Sequence, residues 1–358
     1  MNLFPSAEGD FFYSKILQHE KEFCSMTVLI TAPYNEHGRK ELEGLFGAVV
    51  YQSWKGRGRA FREDELIQLI KDTDATGLIA ELDQVTEHVL QSSPELAFVG
   101  VCRGMPSNVD IKAATKRGIP VFYTPARNAQ AVAEMFIGNV ITFLRHTMPS
   151  NQWLKDGKWN RDYLQAYVQF KGNEITGKTV GMVGFGAVGQ RIAKLLTAFD
   201  CKVKYYDPFV THDNPQYEKV ALDNIFSDSD IVSVHLPRTE ETAGLISKTY
   251  FDLMKKDAVF VNTSRAVVVN REDLLAVLKQ NKIRGAILDV FYNEPPEPSD
   301  YELISLPNVL ATPHLAGATY EVEDHHVAIM NGALKKWKTE QTLAIPTLYN
   351  KKELETGV

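Results

Sequence analysis

Residues 179–207 read TVGMVGFGAVGQRIAKLLTAFDCKVKYYD, and the order of residue types within them decides the fold. An apolar run, TVGMV, passes straight into Gly184-Phe185-Gly186-Ala187-Val188-Gly189 and then into a stretch with helical apolar spacing. Strand, glycine-rich turn and helix in that order are the context in which G-x-G-x-x-G cradles a pyrophosphate. Gly184 permits the tight turn, Gly186 lets phosphates approach the backbone, and Gly189 lets the helix pack close to the strand. Ala187 and Val188 open the helix whose free N–H groups and partial positive charge face the anion. The next strand ends in YYD, placing Asp207 18 residues past Gly189, near the roughly 20 expected of the acid that holds the adenosine ribose. A carboxylate there accepts from ribose hydroxyls and repels a 2′-phosphate, and Pro208 follows it where an arginine would be wanted. The expected cofactor is NAD rather than NADP.

Working outward, the same alternation continues on both sides. IVSVHLP, AVFVNTS, GAILDV and NVLATPH read as strands after Asp207, with REDLLAVLKQN as a helix among them. Before the glycine turn, MTVLITAPY, TGLIAE, PELAFVGVC and GIPVFYTP are strands, and EDELIQLIKDT and VDIKAATKRG are helices, the second stopped by Gly118. Such alternation implies two doubly wound parallel sheets, each covered by helices on both faces. Between the two series, Asn128 reads as the N-cap of the apolar helix AQAVAEMFIGNVITFLRH. The segment after it, MPSNQWLKDGKWNRDYLQAYVQFKGNEITGK, carries two Trp and two Tyr with little strand character. That much aromatic surface is expected to be covered, as a projecting arm that helps bury a subunit interface. ATYEVEDHHVAIMNGALKKWK is a last helix with no place in the second sheet, so it is expected to return to the first; FFYSKILQHEKEF reads as a short amphipathic helix.

Composition bounds the class. The 358 residues are 44% hydrophobic and 23% charged, enough apolar mass for two cores. A net charge of −6 argues against a nucleic-acid or anionic-membrane surface. No run approaches the ~18 apolar residues of a membrane span, and no leader pattern opens the chain. Cys24, Cys102 and Cys201 lack metal-ligand spacing and cannot all pair, which suits a reducing, cytoplasmic setting. His325 and His326 are adjacent, so they do not share one helical face as metal ligands, and no metal is expected.

The chemistry-bearing residues recur at one kind of place. Pro237, Arg265, Asp289 and His314 all lie at or just past the carboxyl ends of expected parallel strands, the rim where ligands bind in such sheets. Hydride transfer to a ketone needs a carboxylate anchor, a carbonyl polariser and a proton donor. Arg265 can supply the first two with its planar fork of donors, and His314 the third. Glu294, in VFYNEPPEP, could hold the imidazole in one tautomer and stabilise its protonated form. His235, before Leu-Pro, is expected to pack in the cofactor cleft.

These residues sit in VGFGAVG, YYD, HLPRTEET, VNTSRAVVVNREDLLAVL, AILDVFYNEPPEP and TPHLAGAT, with NVDIKAATKRGIPVFYTP and AVAE earlier, and together they cover most of residues 98–320. In these stretches the chain resembles the D-isomer-specific 2-hydroxyacid dehydrogenase family, most nearly its phosphoglycerate-dehydrogenase-like members; only 44 residues follow His314, too few for a regulatory domain. The resemblance implies that Arg265 binds the substrate carboxylate and carbonyl and that Glu294 and His314 are the acid–base pair. It implies that Asp289 contacts the nicotinamide amide while Thr263 and Pro237 line the cofactor cleft. It further implies a Rossmann NAD-binding domain inserted in a flavodoxin-like substrate domain. Residues 27–125 with 317–349 would form the substrate domain, and 126–316 the NAD-binding domain, including a dimerisation helix and arm at 129–177. Residues 1–26 would be an extension.

One loop departs from the family pattern. A glycine-rich loop of small residues normally holds the substrate carboxylate with its N–H groups, yet here it reads Val101-Cys102-Arg103-Gly104-Met105-Pro106. Cys102, Arg103 and Gly104 are therefore the candidate substrate-binding residues, with the Cys102 side chain a small apolar filler. Arg103 is expected to aim its guanidinium at a second anionic or polar group of the substrate, such as a phosphate. The alternatives are a glyoxylate/hydroxypyruvate or D-lactate type of dehydrogenase, or an NAD(H)-sensing corepressor on the same fold.

Overall fold

A computed structural model of the chain describes residues 26–356. The chain divides into two compact units, one running to Arg127 and resuming at Thr319, the other Asn128–Ala318. The short helix expected within FFYSKILQHEKEF lies outside the described residues. Among the described residues no helix is long and apolar enough to cross a membrane.

The first unit holds a five-stranded parallel sheet of β1 (Met26–Ile30), β2 (Gly47–Tyr51), β3 (Gly77–Ala80), β4 (Phe98–Val101) and β5 (Val121–Tyr123), ordered β2-β1-β3-β4-β5. This is the flavodoxin-like order, with its switch point between β1 and β3. β3 and β4 are buried on both faces, as continuous apolar runs in a parallel sheet should be. β2 went unread in the sequence: it is an exposed to half-buried edge strand that begins at Gly47, directly after the helix Glu36–Phe46. Gly47 takes φ +107°, a value for which glycine is suited, so helix and strand join with no intervening loop. On one face the helix Glu321–Glu340 contributes Val327, Met330, Leu334 and Trp337 to a core with Phe46, Phe98 and Phe122. Phe98 is central, with ring centroids 5.5 Å from Phe46 and 5.6 Å from Trp337. The other face is covered by the helices Glu63–Asp72, Glu87–Ser92 and Ile111–Lys116.

The second unit is a seven-stranded parallel sheet of β6 (Thr179–Val183), β7 (Lys202–Tyr206), β8 (Tyr217–Lys219), β9 (Ile231–Val234), β10 (Val259–Asn262), β11 (Gly285–Leu288) and β12 (Val309–Ala311). Its order is β12-β11-β10-β9-β6-β7-β8. That is the dinucleotide-binding order with one strand added beyond β11, and the switch point falls between β6 and β9. β8 is the other strand the sequence hides: three residues, Tyr-Glu-Lys, at the sheet edge, too polar to look like a strand. The helix Ala187–Leu196 packs Gly189, Ile192, Ala193 and Leu196 inward against one face, together with Val140 and Phe136 of the helix Ala129–Leu144. Asn128 precedes that helix at φ −107°, but its side chain makes no capping bond. A Cβ at Gly317 would instead lie 2.5 Å from the Asn128 amide nitrogen, so the small residue at 317 makes room for it. The aromatic segment after this helix is helical too, at Thr147–Lys155 and Tyr163–Gln169.

Candidate active site

The glycine turn opens at the carboxyl end of β6, beside the carboxyl end of β9. Gly184 has φ +91°, and a Cβ there would lie 2.8 Å from the His235 carbonyl oxygen. A Cβ at Gly189 would lie 2.9 Å from the Gly184 carbonyl oxygen, so close packing of turn and helix requires glycine at both places. Gly186 differs, since a Cβ there would meet nothing within 4 Å. It is exposed at the N-cap of Ala187–Leu196, with Ala187 exposed and Val188 half-buried beside it. Open space over Gly186 and unsatisfied N–H groups at a helix start form the cradle a pyrophosphate fits.

Asp207, buried after β7, braces this turn. Its carboxylate accepts from the backbone N–H of Phe185 (2.8 Å), Phe209 (2.9 Å) and Val210 (3.0 Å). Three bonds take three of about four lone-pair positions, so the residue expected to hold the ribose also ties the glycine turn to the loop beyond β7. Further along the rim, the buried Thr263 Oγ1 and His235 Nε2 have no hydrogen-bond partner among the described residues. Burial alone pushes the His235 imidazole down to about 4. Orphaned polar atoms on the loops after β9 and β10, with the open cradle between β6 and β9, fit a dinucleotide laid across the switch point. Pro237 lies exposed on the β9 loop, its carbonyl accepting from the Thr242 hydroxyl at 2.7 Å.

Glu294 and His314, the residues expected to transfer the proton, stand at the same rim. His314 Nδ1 lies 2.7 Å from Glu294 Oε2, and both side chains are partly exposed. An ionised carboxylate only accepts, so Nδ1 carries the proton in this pair and Nε2 is the nitrogen available to a substrate. The second oxygen of Glu294 accepts from the Phe291 N–H at 3.1 Å. His314 sits at φ +49°, a left-handed position that a non-glycine residue holds at some cost. Asp289, buried after β11, holds it there. One of its oxygens accepts from the Thr312 hydroxyl (2.6 Å) and the Leu315 N–H (3.0 Å), the other from the Ala316 N–H (2.9 Å). Arg265 follows β10 in a turn fixed by the buried Asn262, whose side chain bonds the Ser264 N–H and the Arg265 carbonyl, each at 3.0 Å. Its exposed guanidinium donates to the Ser264 carbonyl at 2.6 Å. The structure thus joins Glu294 to His314 directly and leaves Arg265 on the neighbouring turn, with no hydrogen bond to either among the described residues.

The loop expected to bind substrate belongs to the first unit, and one of its residues is corrected. Cys102 spends its N–H on the Ala80 carbonyl at 2.8 Å, and its thiol is fully buried, pushed well up first by that burial and then by the charge of Glu81. Neither its backbone donor nor its sulfur is available to a ligand. Arg103 is half-buried, with its carbonyl accepting from the Thr124 N–H at 3.0 Å, and Gly104 is exposed. At the same sheet rim Arg127 pairs with Glu81 at 2.7 Å and donates to His326 Nδ1 at 3.0 Å. His326 Nε2 donates to the Pro33 carbonyl at 2.7 Å. The buried histidine is therefore a neutral packing element of this unit, and its sequence neighbour His325 bonds the Arg127 carbonyl at 2.9 Å.

A parallel sheet with this strand order, a phosphate cradle at its switch point and a carboxylate–imidazole pair on the same rim define a nicotinamide-dinucleotide oxidoreductase. The model of the D-isomer specific 2-hydroxyacid dehydrogenase NAD-binding domain matches residues 137–316. The chain is 79% identical over 338 residues to YoaD of Bacillus subtilis (strain 168), which is classed with the 2-hydroxyacid dehydrogenases, covering 94% of this chain and 98% of that one. It is 36% identical over 263 residues to a D-3-phosphoglycerate dehydrogenase of Archaeoglobus fulgidus, covering 73% of this chain but about half, 48%, of that longer one. The solved structure of D-2-hydroxyisocaproate dehydrogenase superposes with a TM-score of 0.77 at 25% identity, over 89% of this chain and 98% of that one. The chain belongs to the D-isomer specific 2-hydroxyacid dehydrogenase family, and it is an NAD-dependent enzyme acting on the CH–OH group of its donors.

Proposed function

We propose that Arg265, Glu294 and His314 carry the interconversion of a small D-2-hydroxy acid and its 2-keto acid, and the 2.7 Å contact between His314 Nδ1 and Glu294 Oε2 is the observation that supports it most directly. NADH, when bound, supplies the hydride. Arg265 has an exposed guanidinium that spends one donor on the Ser264 carbonyl, and the two-pronged geometry of such a group matches a carboxylate and the adjacent carbonyl oxygen. It anchors the acid and draws charge toward the carbonyl oxygen as the hydride arrives. His314 gives the proton from Nε2 to that oxygen, while Glu294 holds the ring by Nδ1 and balances the imidazolium. In the oxidative direction the same atoms run backward, with His314 the base.

Cofactor contacts follow from the same rim: Gly184, Gly186, Ala187, Val188 and Gly189 at the pyrophosphate, Asp207 at the ribose, and Pro237, Thr263 and Asp289 along the nicotinamide half. Arg103 and Gly104 are substrate-binding residues, Arg103 favouring a second anionic or polar group. The arm serves as a homodimer surface in a cytoplasmic enzyme, and its exposed apolar side chains Met148, Tyr163, Tyr167 and Val168 support the dimer reading. Steady-state NADH oxidation against glyoxylate, hydroxypyruvate, its 3-phosphate and pyruvate tests the assignment. Turnover of at least one is expected, and NADH binding with turnover of none would overturn it.

A further inference from the structure

We propose that Asp300 is a positioning residue for the reaction, clasping the loop that carries Glu294 so that its carboxylate stays against His314. The inference rests on Glu294 and His314 being the acid–base pair and adds what keeps them so.

Asp300 is fully buried, and a carboxylate is held in such a place only by strong hydrogen bonding. Its partners are N–H donors from one short stretch: Tyr292 N at 3.1 Å on one oxygen, and Asn293 Nδ2 at 3.0 Å and Glu297 N at 3.1 Å on the other. The bond to Glu297 alone would satisfy the start of the helix Pro298–Ile304, for which Glu297 is the N-cap. The bonds to Tyr292 and Asn293 do nothing for that helix. They draw in the residues on the far side of Glu294, so the carboxylate grips the loop at both ends of a segment with Glu294 near its middle. The Tyr292 hydroxyl adds a third tie, donating to the Val269 carbonyl at 2.8 Å.

The consequence is a pair of matching devices. Asp289 brackets His314 through Thr312, Leu315 and Ala316, and Asp300 brackets Glu294 through Tyr292, Asn293 and Glu297. Each buried acid restrains one half of a contact whose two members are partly exposed and would otherwise sample many rotamers. Neither clasp uses the imidazole or the catalytic carboxylate as a partner, so geometry is set without spending the reacting groups.

The test is Asp300→Ala beside Asp300→Asn, with Glu294→Gln as reference. Asparagine keeps an acceptor for Tyr292 but sets an NH2 against the donors of Glu297 and Asn293. NADH affinity should stay within about twofold, and kcat for keto-acid reduction should fall about 10- to 100-fold, the scale of an ångström-sized misplacement. The alkaline limb of the kcat profile should move to lower pH, in the direction Glu294→Gln moves it, with Asp300→Asn between wild type and Asp300→Ala. Should Asp300→Ala fail to fold, Asp300→Asn alone decides. An Asp300 variant with the wild-type limb, its kcat loss matching only its folded fraction, would overturn the proposal and leave a helix cap. A Glu294→Gln enzyme with the wild-type limb would overturn the acid–base reading itself.

Discussion

Replacing Gly186 and, separately, Gly184 by alanine divides binding from folding at the phosphate turn. At Gly186 the added methyl meets no atom within 4 Å, and φ −72°, ψ −160° is extended backbone open to alanine. The folding cost is that of a poorer N-cap, less than about 1 kcal/mol. The same methyl stands where the pyrophosphate must come close to the chain, so NADH binding should weaken about 10- to 100-fold, or ~1.4–2.8 kcal/mol. At Gly184 the methyl would sit 2.8 Å from the His235 carbonyl oxygen on a residue with φ +91°. Backbone strain of about 1–3 kcal/mol and overpacking of similar size then fall on stability. NADH titration by fluorescence, run beside urea denaturation, reads both quantities. Gly186→Ala should keep a near-native midpoint and lose NADH, whereas Gly184→Ala should show a clearly lower midpoint. A Gly186→Ala protein binding NADH as tightly as wild type would remove the pyrophosphate from this turn and refute the reasoning.

Other expectations follow from the same coordinates. Asp207→Ala removes three backbone hydrogen bonds as well as the ribose acceptor, so stability should fall by about 1–3 kcal/mol and the preference for NADH over NADPH should narrow; an unchanged preference would refute the ribose assignment. His235 is held down to about 4 by burial, below its unfolded value, so the unfolded chain takes the proton first. Its contribution is intact above about pH 6.5 and is lost as pH falls toward 4, at most about 3 kcal/mol. Urea midpoints of wild type and His235→Asn at pH 7 and 4.5 check this, and equal pH sensitivity would refute it. Leu334→Ala, in the buried face of the helix Glu321–Glu340, should cost about 2–5 kcal/mol by denaturation, against under 1 if that helix were peripheral. For the proposed homodimer, Tyr167→Asp should shift sedimentation from dimer to monomer, and an unaltered dimer would remove the arm from the interface.

Much of this architecture was readable in local sequence, because its signals are local. Gly184, Gly186 and Gly189 lie within one turn, and central strands such as FVGV and GAIL are unbroken apolar runs between two helical layers. Pro237, Arg265, Asp289 and His314 could be placed at strand ends because each follows a short, mostly apolar stretch. The two unread strands, β2 and β8, are both edges, where half the surface is exposed and the apolar pattern fades. What escaped at the site depends on partners set by folding. The orientation of Cys102 follows from a backbone bond to Ala80, and the Glu81–Arg127–His326 chain joins residues up to 245 positions apart. In sequence, Asp300 is one more acid in a proline-rich stretch. Its cue was the Glu297-Pro-Ser-Asp300 spacing of a capping box, which points to a helix start but not to the grip on Tyr292 and Asn293.

Single-turnover reduction of a keto acid by His314→Ala, with NADH prebound, tests the central claim most directly. Hydride transfer should slow by about two to four orders of magnitude while NADH affinity stays at the wild-type value. NADH oxidised at the wild-type rate would contradict it and remove the imidazole from the chemistry.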